Sequence, residues 1–255
     1  MSRARLLVDV GNSRIKWVLA TDSTWTPGSP FPTHDTPLAA ALDGHWSTLQ
    51  RPEAVVVSNV AGPGIAGNID SWVGRHWDIP VHYARSEALH GPVFNGYSKP
   101  EQLGVDRWLG LLGLQAEYAL PACLVDCGTA ITLDLLDGQA RHRGGLIAPG
   151  LTTMQRALLT DAHGLGGSEV LSGAFELGHD TAGCMQAGCL MACAGLIEKT
   201  LTQLTEGLNE PVWPVLAGGD AERIGRQLSI PFELNVDIVL RGLSVWVESH
   251  IQDSA

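Results

Sequence analysis

Residues 6–16 read LLVDVGNSRIK, and the same pattern returns at residues 124–132 as LVDCGTAIT. Each stretch is an apolar strand that ends in aspartate, turns through glycine and small polar residues, and continues as a second apolar strand. Glycine lets the backbone approach a phosphate and present its N–H groups, and the polar neighbours add donors. A carboxylate at the strand end can hold a cation or its water. Either stretch alone also suits an ordinary hairpin turn, but the repetition favours a duplicated phosphate-binding hairpin.

The length of the chain and the spacing of this repeat predict two domains. The chain has 255 residues, which suits one large domain or two of about 120 residues each. We place the boundary near Leu120-Pro121, giving domains 1–120 and 121–255. Alternating strands and helices predict an α/β fold in which mixed sheets are flanked by helices. Two such domains facing each other across a cleft would bring both Asp-Gly turns to one nucleotide.

Hydrophobic periodicity predicts the elements of both halves. Strands are predicted at residues 5–10, 15–20, 54–59, 80–83, 122–126, 130–137, 142–147 and 213–217. Helices are predicted at residues 37–49, 65–77, 101–118, 151–159, 181–204 and 236–251.

The charge of the chain limits its partners. Sixteen Lys and Arg residues against 27 Asp and Glu residues leave a formal charge of -11. This charge repels a phosphate backbone and provides no basic stripe, so nucleic acid and anionic membrane surfaces are poor partners. A small anionic substrate remains compatible, because a few local cations and N–H groups can dominate inside a cleft.

No targeting segment, membrane span or metal cluster is expected. The apolar stretch before Asp9 is too short for a signal peptide, and residues 181–197 are shorter than a spanning helix, so we predict a buried helix there. The five cysteines form no CxxC pair and are odd in number, which favours small buried hydrophobes in a reducing compartment over zinc or disulfides. The nine histidines are scattered without ligand spacing, so we expect solvated or core roles.

Asp106 and Arg107 are adjacent charges near the start of an otherwise apolar predicted helix. A buried charge without a partner is costly, so this pair needs partners or water. One interpretation is a solvent-facing ion pair. The other makes Asp106 a general base and Arg107, with its planar fork of donors, an anchor for a carboxylate.

Two further stretches are rich in glycine. Residues 144–151 read GGLIAPGL, and residues 216–220 read LAGGD, each beside a predicted strand and helix. Glycine pairs at such places allow a ligand to approach the backbone, although packing and turn geometry explain them equally well.

Four motifs in this order resemble those of type III pantothenate kinases, relatives of acetate and sugar kinases, chaperone ATPases and actin. The motifs are Asp9-x-Gly11-Asn12-Ser13-x-x-Lys16, Gly104-x-Asp106-Arg107, Asp126-x-Gly128-Thr129-Ala130-x-Thr132 and Gly144-Gly145-x-Ile147-x-Pro149-Gly150-Leu151. The resemblance implies two duplicated ribonuclease H-like (actin-like ATPase) domains with a cleft between them. It also implies a cytoplasmic enzyme that phosphorylates pantothenate to 4'-phosphopantothenate with ATP, the first step toward coenzyme A.

The resemblance also implies roles for particular residues. Asp106 is the general base. The ATP phosphates and their Mg²⁺ are held by Asp9, Gly11, Asn12, Ser13 and Lys16, with Gly128, Thr129 and Thr132 on the nucleotide side. Asp126 helps bind a monovalent cation, K⁺ or NH₄⁺. The pantothenate pocket takes Tyr97, Gly104, Arg107, Gly145 and Thr181.

This chain departs from the family pattern in two places and leaves its assembly open. The family usually has Thr-Gly-Gly where this chain has Ala217-Gly218-Gly219, which leaves the adenine contacts open, and residues 178–181 match only at Gly178 and Thr181. The family generally forms homodimers, so residues 108–114 and 184–197 are candidates for the subunit contact or for the core of one chain.

Two other functions are compatible with these motifs. One is a regulatory protein that binds nucleotide without catalysis, which the three carboxylates Asp9, Asp106 and Asp126 argue against. The other is a kinase of the same superfamily that acts on a different small alcohol or acid.

Overall fold

The computed structural model describes residues 4–21, 23–34, 37–161 and 176–250. By internal contacts the chain divides into two compact units. Residues up to Ala116, together with those from Ile238 onward, form the first unit, and Glu117–Asp237 form the second. The break at Ala116 lies close to the expected boundary at Leu120-Pro121. The last helix, which the expected division assigns to the second domain, belongs to the first unit because it contacts strands there.

The elements are numbered in chain order. The strands are β1 Arg5–Val10, β2 Arg14–Ala20, β3 Trp25–Pro27, β4 Phe31–Pro32, β5 Ala54–Asn59, β6 Val81–Tyr83, β7 Leu89–His90, β8 Val93–Phe94, β9 Ala122–Cys127, β10 Ala130–Leu136, β11 His142–Pro149, β12 Trp213–Ala217 and β13 Glu233–Leu234. The helices are α1 Leu38–Trp46, α2 Pro63–His76, α3 Val105–Glu117, α4 Leu151–Asp161, α5 Thr181–Leu208, α6 Ala221–Gly225 and α7 Ile238–His250, with a 3-10 turn at Pro100–Gln102. Residue 251, the expected end of α7, lies outside the described residues.

The two units repeat one sheet topology. The first sheet has the order β3-β2-β1-β5-β6 and the second β11-β10-β9-β12-β13. In the first sheet β1, β2 and β3 form an antiparallel meander, the short β4 also pairs with β2, and β5 and β6 add in parallel on the other side of β1. In the second sheet β9, β10 and β11 form the meander, and β12 and β13 add in parallel on the other side of β9. This is the duplicated ribonuclease H-like arrangement that the sequence predicts.

The first sheet buries one face of β1 against α1 and α2. Leu6, Val8 and Val10 lie in a core with side chains of these helices. Because side chains alternate along a strand, Leu7 and Asp9 point to the opposite face. Helix α7 contacts β1 and β5 but, among the described residues, contributes nothing to the α1–α2 core, so it covers this second face.

Helices α3 and α7 cross backbone to backbone in the first unit. A Cβ on Gly242 would lie 1.7 Å from the Leu109 carbonyl oxygen, and one on Gly113 would lie 2.4 Å from the Ile238 carbonyl oxygen. The apolar side chains of α3 are therefore buried in one chain, which favours a core role for residues 108–114 over a subunit contact.

Helix α5 packs on the second sheet. Cys189, Cys193, Ile197 and Leu201 lie in one core with β9 and β10 side chains. The helix continues beyond residues 181–197 to 28 residues, and by length and composition alone it is long and apolar enough to cross a membrane, with a mean hydropathy of 1.2. Packing against the second sheet accounts for the apolar composition of its buried side.

Candidate active site

The first turn is a tight hairpin held by a threonine. Gly11 N–H donates to the Arg14 carbonyl at 3.0 Å. The buried Thr33 donates through Oγ1 to the Gly11 carbonyl at 2.8 Å, and its N–H donates to the Ser13 carbonyl at 3.1 Å. Asn12 and Ser13 are exposed at the tip of the turn. The turn therefore exposes polar groups to solvent, while Thr33 holds its backbone in place.

Asp9 lies between Lys16 and Ser58 in the sheet register. Lys16 is its partner on β2, and Ser58 is its partner on β5. Residues directly opposite each other share a face, so a carboxylate, an ammonium and a hydroxyl line one face of the sheet. Ser58 was missed by sequence reasoning; its Oγ is buried and has no hydrogen-bond partner among the described residues. Its only sequence signal was a hydroxyl within a run of valines.

Asp106, Arg107 and Tyr97 form one cluster in the first unit. Asp106 is the second residue of α3, where the helix dipole stabilises a negative charge, and its Oδ1 accepts the Arg107 N–H at 2.8 Å. Arg107 is buried, donates from Nη1 to the Tyr97 hydroxyl at 2.9 Å, and lies over the Tyr97 ring. A Cβ on Gly104 would lie 2.7 Å from Asp106 Oδ1, so glycine there leaves room for this carboxylate. The buried guanidinium rules out the interpretation as a solvent-facing ion pair.

Asn95 fixes the loop that carries Tyr97. Its Oδ1 accepts the Tyr97 N–H at 3.0 Å, and its Nδ2 donates to the Glu87 carbonyl at 3.0 Å and to the Pro100 carbonyl at 3.3 Å. The side chain is buried, so this amide sets the shape of the segment between β8 and α3.

The second turn is held by backbone contact with a later segment. Gly128 N–H donates to the Ala130 carbonyl at 3.0 Å, and Gly150 N–H donates to the Thr129 carbonyl at 3.0 Å. Thr153 also donates to the Thr129 carbonyl, at 2.6 Å. A Cβ on Gly150 would lie 2.1 Å from the Gly128 carbonyl oxygen, so only glycine allows this approach. The motif at residues 144–151 therefore supports the turn that contains Gly128 and Thr129.

Asp126 is the penultimate residue of β9, and the Asp220 N–H donates to the carbonyl of the next residue, Cys127, at 3.0 Å. Thr132 is the register partner of Asp126 on β10. A Cβ on Gly218 would lie 2.5 Å from Asp126 Oδ1 and 2.5 Å from the Cys127 carbonyl oxygen, and Gly218 has a φ of 93°, which a larger residue rarely adopts. Carboxylate and carbonyl oxygens are ligands that hard cations prefer. Gly218, the first glycine after β12, is thus required by space and by backbone conformation, whichever residue precedes it.

Gly145 and Thr181 lie elsewhere in the second unit. Gly145 is exposed on β11, opposite Asp134 in the register. Thr181 begins α5 and lines an apolar cavity of about 690 Å³ between α4 and α5, to which Gly145 does not contribute.

The cysteines are thiols apart from this chemistry. Cys123, Cys127, Cys189 and Cys193 are buried and unbridged as expected, whereas Cys184 is exposed. Burial raises the pKa of Cys123 and Cys193 to about 12, so both remain protonated at neutral pH. The expectation of small buried hydrophobes is correct for the four buried cysteines and wrong for Cys184.

The repeated sheets and their Asp-Gly turns define the class of the protein, the actin-like ATPase fold. Solved structures with a similar fold include a conserved Baf family transcriptional activator from Campylobacter jejuni, with a TM-score of 0.58, 16% identity and coverage of 96% of this chain and 98% of that one. The ethanolamine utilization protein EutJ from Carboxydothermus hydrogenoformans gives a TM-score of 0.55 at 10% identity, over 95% and 90% of the two chains. At these identities the likeness shows the fold alone.

Sequence comparison narrows this class to one family. The family model of the type III pantothenate kinases matches residues 5–203. Type III pantothenate kinases from Burkholderia lata and Nitrosococcus oceani are 40% and 35% identical to this chain, covering 96% and 94% of it and 95% and 92% of their own lengths. The chain belongs to the type III pantothenate kinase family.

Proposed function

We propose that this chain transfers the γ-phosphoryl group of ATP to the terminal hydroxyl of pantothenate, giving 4'-phosphopantothenate and ADP. Membership of the family supports the reaction, which begins coenzyme A biosynthesis. The observation that carries the proposal is the Asp106 carboxylate at the start of α3, next to a buried Arg107 that Tyr97 orients. A base beside a carboxylate anchor matches a substrate with a hydroxyl at one end and a carboxylate at the other.

Each group has a defined task in this reaction. Asp106 accepts the proton of the attacking hydroxyl, whose oxygen bonds to the γ-phosphorus while the bond to the β,γ-bridging oxygen breaks and ADP leaves. Arg107 binds the pantothenate carboxylate through its fork of donors. Tyr97 and Gly104 shape the same pocket, and Gly145 and Thr181 are assigned as further substrate contacts.

The first turn is assigned to the ATP phosphates and the second to the rest of the nucleotide. Exposed Asn12 and Ser13, the Gly11 backbone and Lys16 suit phosphate oxygens, and Asp9 suits Mg²⁺ or its water. Gly128, Thr129 and Thr132 are assigned to the nucleotide side. Asp126, beside the Cys127 carbonyl, offers oxygen donors for K⁺ or NH₄⁺. Bound cations neutralise the charge that develops on the transferred phosphoryl group.

A coupled assay with pantothenate, ATP, Mg²⁺ and K⁺ tests the function, and Asp106→Asn tests the base. We expect Asp106→Asn to lower kcat by about 100- to 10,000-fold, because general-base catalysis contributes that much. ATP binding by calorimetry should stay within about twofold. Asp70→Asn is the matched control, since Asp70 lies on α2, accepts a hydrogen bond from Tyr83 of β6 and is outside the cluster. Turnover by Asp106→Asn equal to that of the control would remove Asp106 from this role.

The substrate is tested by an analogue in which an alcohol replaces the pantothenate carboxylate. We expect the analogue to raise KM for the native enzyme but to make little difference to Arg107→Met, since that variant has already lost the anchor. Loss of a charge-assisted pair corresponds to about 10- to 100-fold in KM. A substrate panel that found another small alcohol to be preferred would redirect the proposal to a different kinase of this superfamily.

We also propose a cytoplasmic homodimer, with the contact on the second unit. Leu146, Ile147, Leu158 and Met191 are exposed on β11, α4 and α5, and Ile147 is 65% exposed. Exposed apolar side chains such as these are available for burial in a subunit contact. Ile147→Glu should convert a dimer to monomers in light scattering, whereas Leu234→Glu, on the exposed strand β13, should leave it intact. A monomeric native chain would exclude the dimer.

A further inference from the structure

Glu87, His90 and His250 form a cluster in the first unit that the kinase reaction does not use. One ligand atom from each lies within 4.8 Å of the others. His90 Nδ1 is 3.1 Å from Glu87 Oε2, and His250 Nε2 is 2.6 Å from Glu87 Oε1. The carboxylate thus faces one imidazole nitrogen with each of its oxygens. His250 is the last residue of α7, so the cluster joins this helix to the strand β7.

The contacts of His250 fix which of its nitrogens faces the carboxylate. Its Nδ1 is 2.8 Å from the Trp246 carbonyl oxygen and 3.0 Å from the Ser249 hydroxyl. The ring also stacks on Trp246, with 4.0 Å between centroids and an interplanar angle of 8°. Nε2 is therefore the nitrogen directed at Glu87 Oε1, and it is the atom of this ring that a metal bound to the carboxylate would reach.

His90 is placed in the same way. Its Nε2 is 3.4 Å from the Ser249 hydroxyl, and its Nδ1 is directed at Glu87 Oε2. The two rings are stacked, with 5.5 Å between centroids. One nitrogen of each imidazole thus converges on the same carboxylate, which is the arrangement of a three-ligand metal site.

We propose that Glu87, His90 and His250 bind one divalent transition metal of the Zn²⁺ type. Imidazole nitrogen and carboxylate oxygen are its ordinary protein ligands, and two histidines with one glutamate is a known three-ligand set. The bond from His250 Nδ1 to a backbone carbonyl is the outer contact that metal-bound histidines usually make. A cavity of about 310 Å³ lined by His90, Glu248 and Ser249 lies alongside and leaves space for a water as fourth ligand.

The metal stabilises the segment between β8 and α3, which carries Tyr97. Glu87 provides a carboxylate to the metal and its backbone carbonyl to Asn95, and Asn95 in turn holds Tyr97. A metal that binds His250 of α7 and Glu87 together therefore ties the C-terminal helix to the segment that orients Arg107. Its role is structural, apart from the cations of the ATP reaction.

His76 provides a matched control within the same unit. It ends α2, stacks on Trp72 at 4.1 Å and places Nδ1 2.9 Å from the Trp72 carbonyl, as His250 does with Trp246. Its Nε2 faces one carboxylate, Asp43, at 3.6 Å, and no second histidine joins this pair among the described residues. Loss of His76 thus removes a tryptophan-stacked helix-terminal histidine without removing a metal ligand.

The test is a Co²⁺ titration of the EDTA-treated full chain without ATP, in a Cys184→Ser background that removes the exposed thiol. We expect one Co²⁺ per chain with a visible d–d absorption band, displaced by one equivalent of Zn²⁺ and not by excess Mg²⁺. His90→Gln, His250→Gln and Glu87→Gln should each weaken binding by at least about 100-fold, while His76→Gln should bind as the parent does. Zn²⁺ should raise the melting temperature of the parent and of His76→Gln only.

Circular dichroism in EDTA identifies variants that remain folded, and three independent ligands ensure that one unfolded variant does not decide the result. A parent chain with no cobalt band and no melting shift with Zn²⁺ would overturn the proposal. A band that persists in the folded His90→Gln and His250→Gln variants would overturn it as well. Neither outcome depends on pantothenate kinase activity.

Discussion

The turn that follows Asp9 and the turn that follows Asp126 share a backbone plan but differ in what surrounds the carboxylate. Asp9 lies between Lys16 and Ser58, whereas Asp126 lies beside Thr132 and the backbone of Gly218. Duplication of the sheet has therefore kept the position of the acid and changed its neighbours. An ammonium beside Asp9 favours binding of phosphate, and oxygen donors around Asp126 favour binding of a cation.

The two turns also differ in how they are fixed. Both turns receive a threonine hydroxyl, from Thr33 on the Gly11 carbonyl and from Thr153 on the Thr129 carbonyl. The second turn also has a backbone contact that leaves no room for a Cβ, between Gly150 and the Gly128 carbonyl. A side chain at Gly150 is therefore harder to accommodate than one at Gly11.

Exchange of the two acids for amides should separate their roles and give the largest effect. We expect Asp9→Asn to lower kcat/KM by about 100- to 1000-fold with any monovalent salt, because a transition-state charge contact is lost. Asp126→Asn should cost about tenfold and abolish the difference between K⁺ and Na⁺, which corresponds to about 1.4 kcal/mol. Steady-state kinetics in both salts measure this. Equal losses without a change in salt preference would mean that the turns are equivalent.

Alanine substitution at Gly150 and at Gly11 should distinguish the two turns by their effect on stability. Gly150→Ala places a Cβ against backbone and should destabilise the chain by about 1–3 kcal/mol, as overpacking does. Gly11→Ala places its Cβ 3.2 Å from the Arg14 carbonyl oxygen and should cost less than about 1 kcal/mol. Urea denaturation gives both values. The comparison fails if Gly11→Ala is the more damaging of the two.

Ser58→Ala should have the smallest effect and sharpen the role of the groups beside Asp9. Because Ser58 Oγ is buried without a hydrogen-bond partner among the described residues, its removal should change stability by less than about 0.5 kcal/mol or raise it slightly. A rise in KM for ATP of about threefold with unchanged stability would show that bound ligand uses this hydroxyl. Ala217→Ser, at the corresponding place on β12, is the matched change in the second sheet.

The fold follows from local pattern wherever a strand or helix is long. Residues 5–10 and 54–59 are predicted with the observed ends, since runs of valine and leucine leave little choice. The short edge strands β3 and β4 are not predicted, because each contains a proline, which weakens the strand signal. The assignment of α7 to the first unit could not be predicted either, because periodicity shows that a helix has an apolar face but not which sheet covers it.

The site is predictable where its members are neighbours in sequence. The adjacency of Asp106 and Arg107 indicates a functional pair, and the fold places Tyr97 on it. Ser58 and the Glu87–His90–His250 cluster are not predictable, since each depends on contacts between distant segments. His250 is 163 positions from Glu87, and scattered histidines carry no spacing signal.

The membership of α7 in the first unit has a consequence for biosynthesis. A ribosome completes the strands β1 and β5 early, but the helix that covers their second face is made only after the whole second unit. Until α7 has been synthesised, Leu7 and its neighbours on that face lack their native cover, although the second unit is already complete. The first unit therefore cannot finish folding before the second unit has been made, unlike a domain formed from one continuous segment.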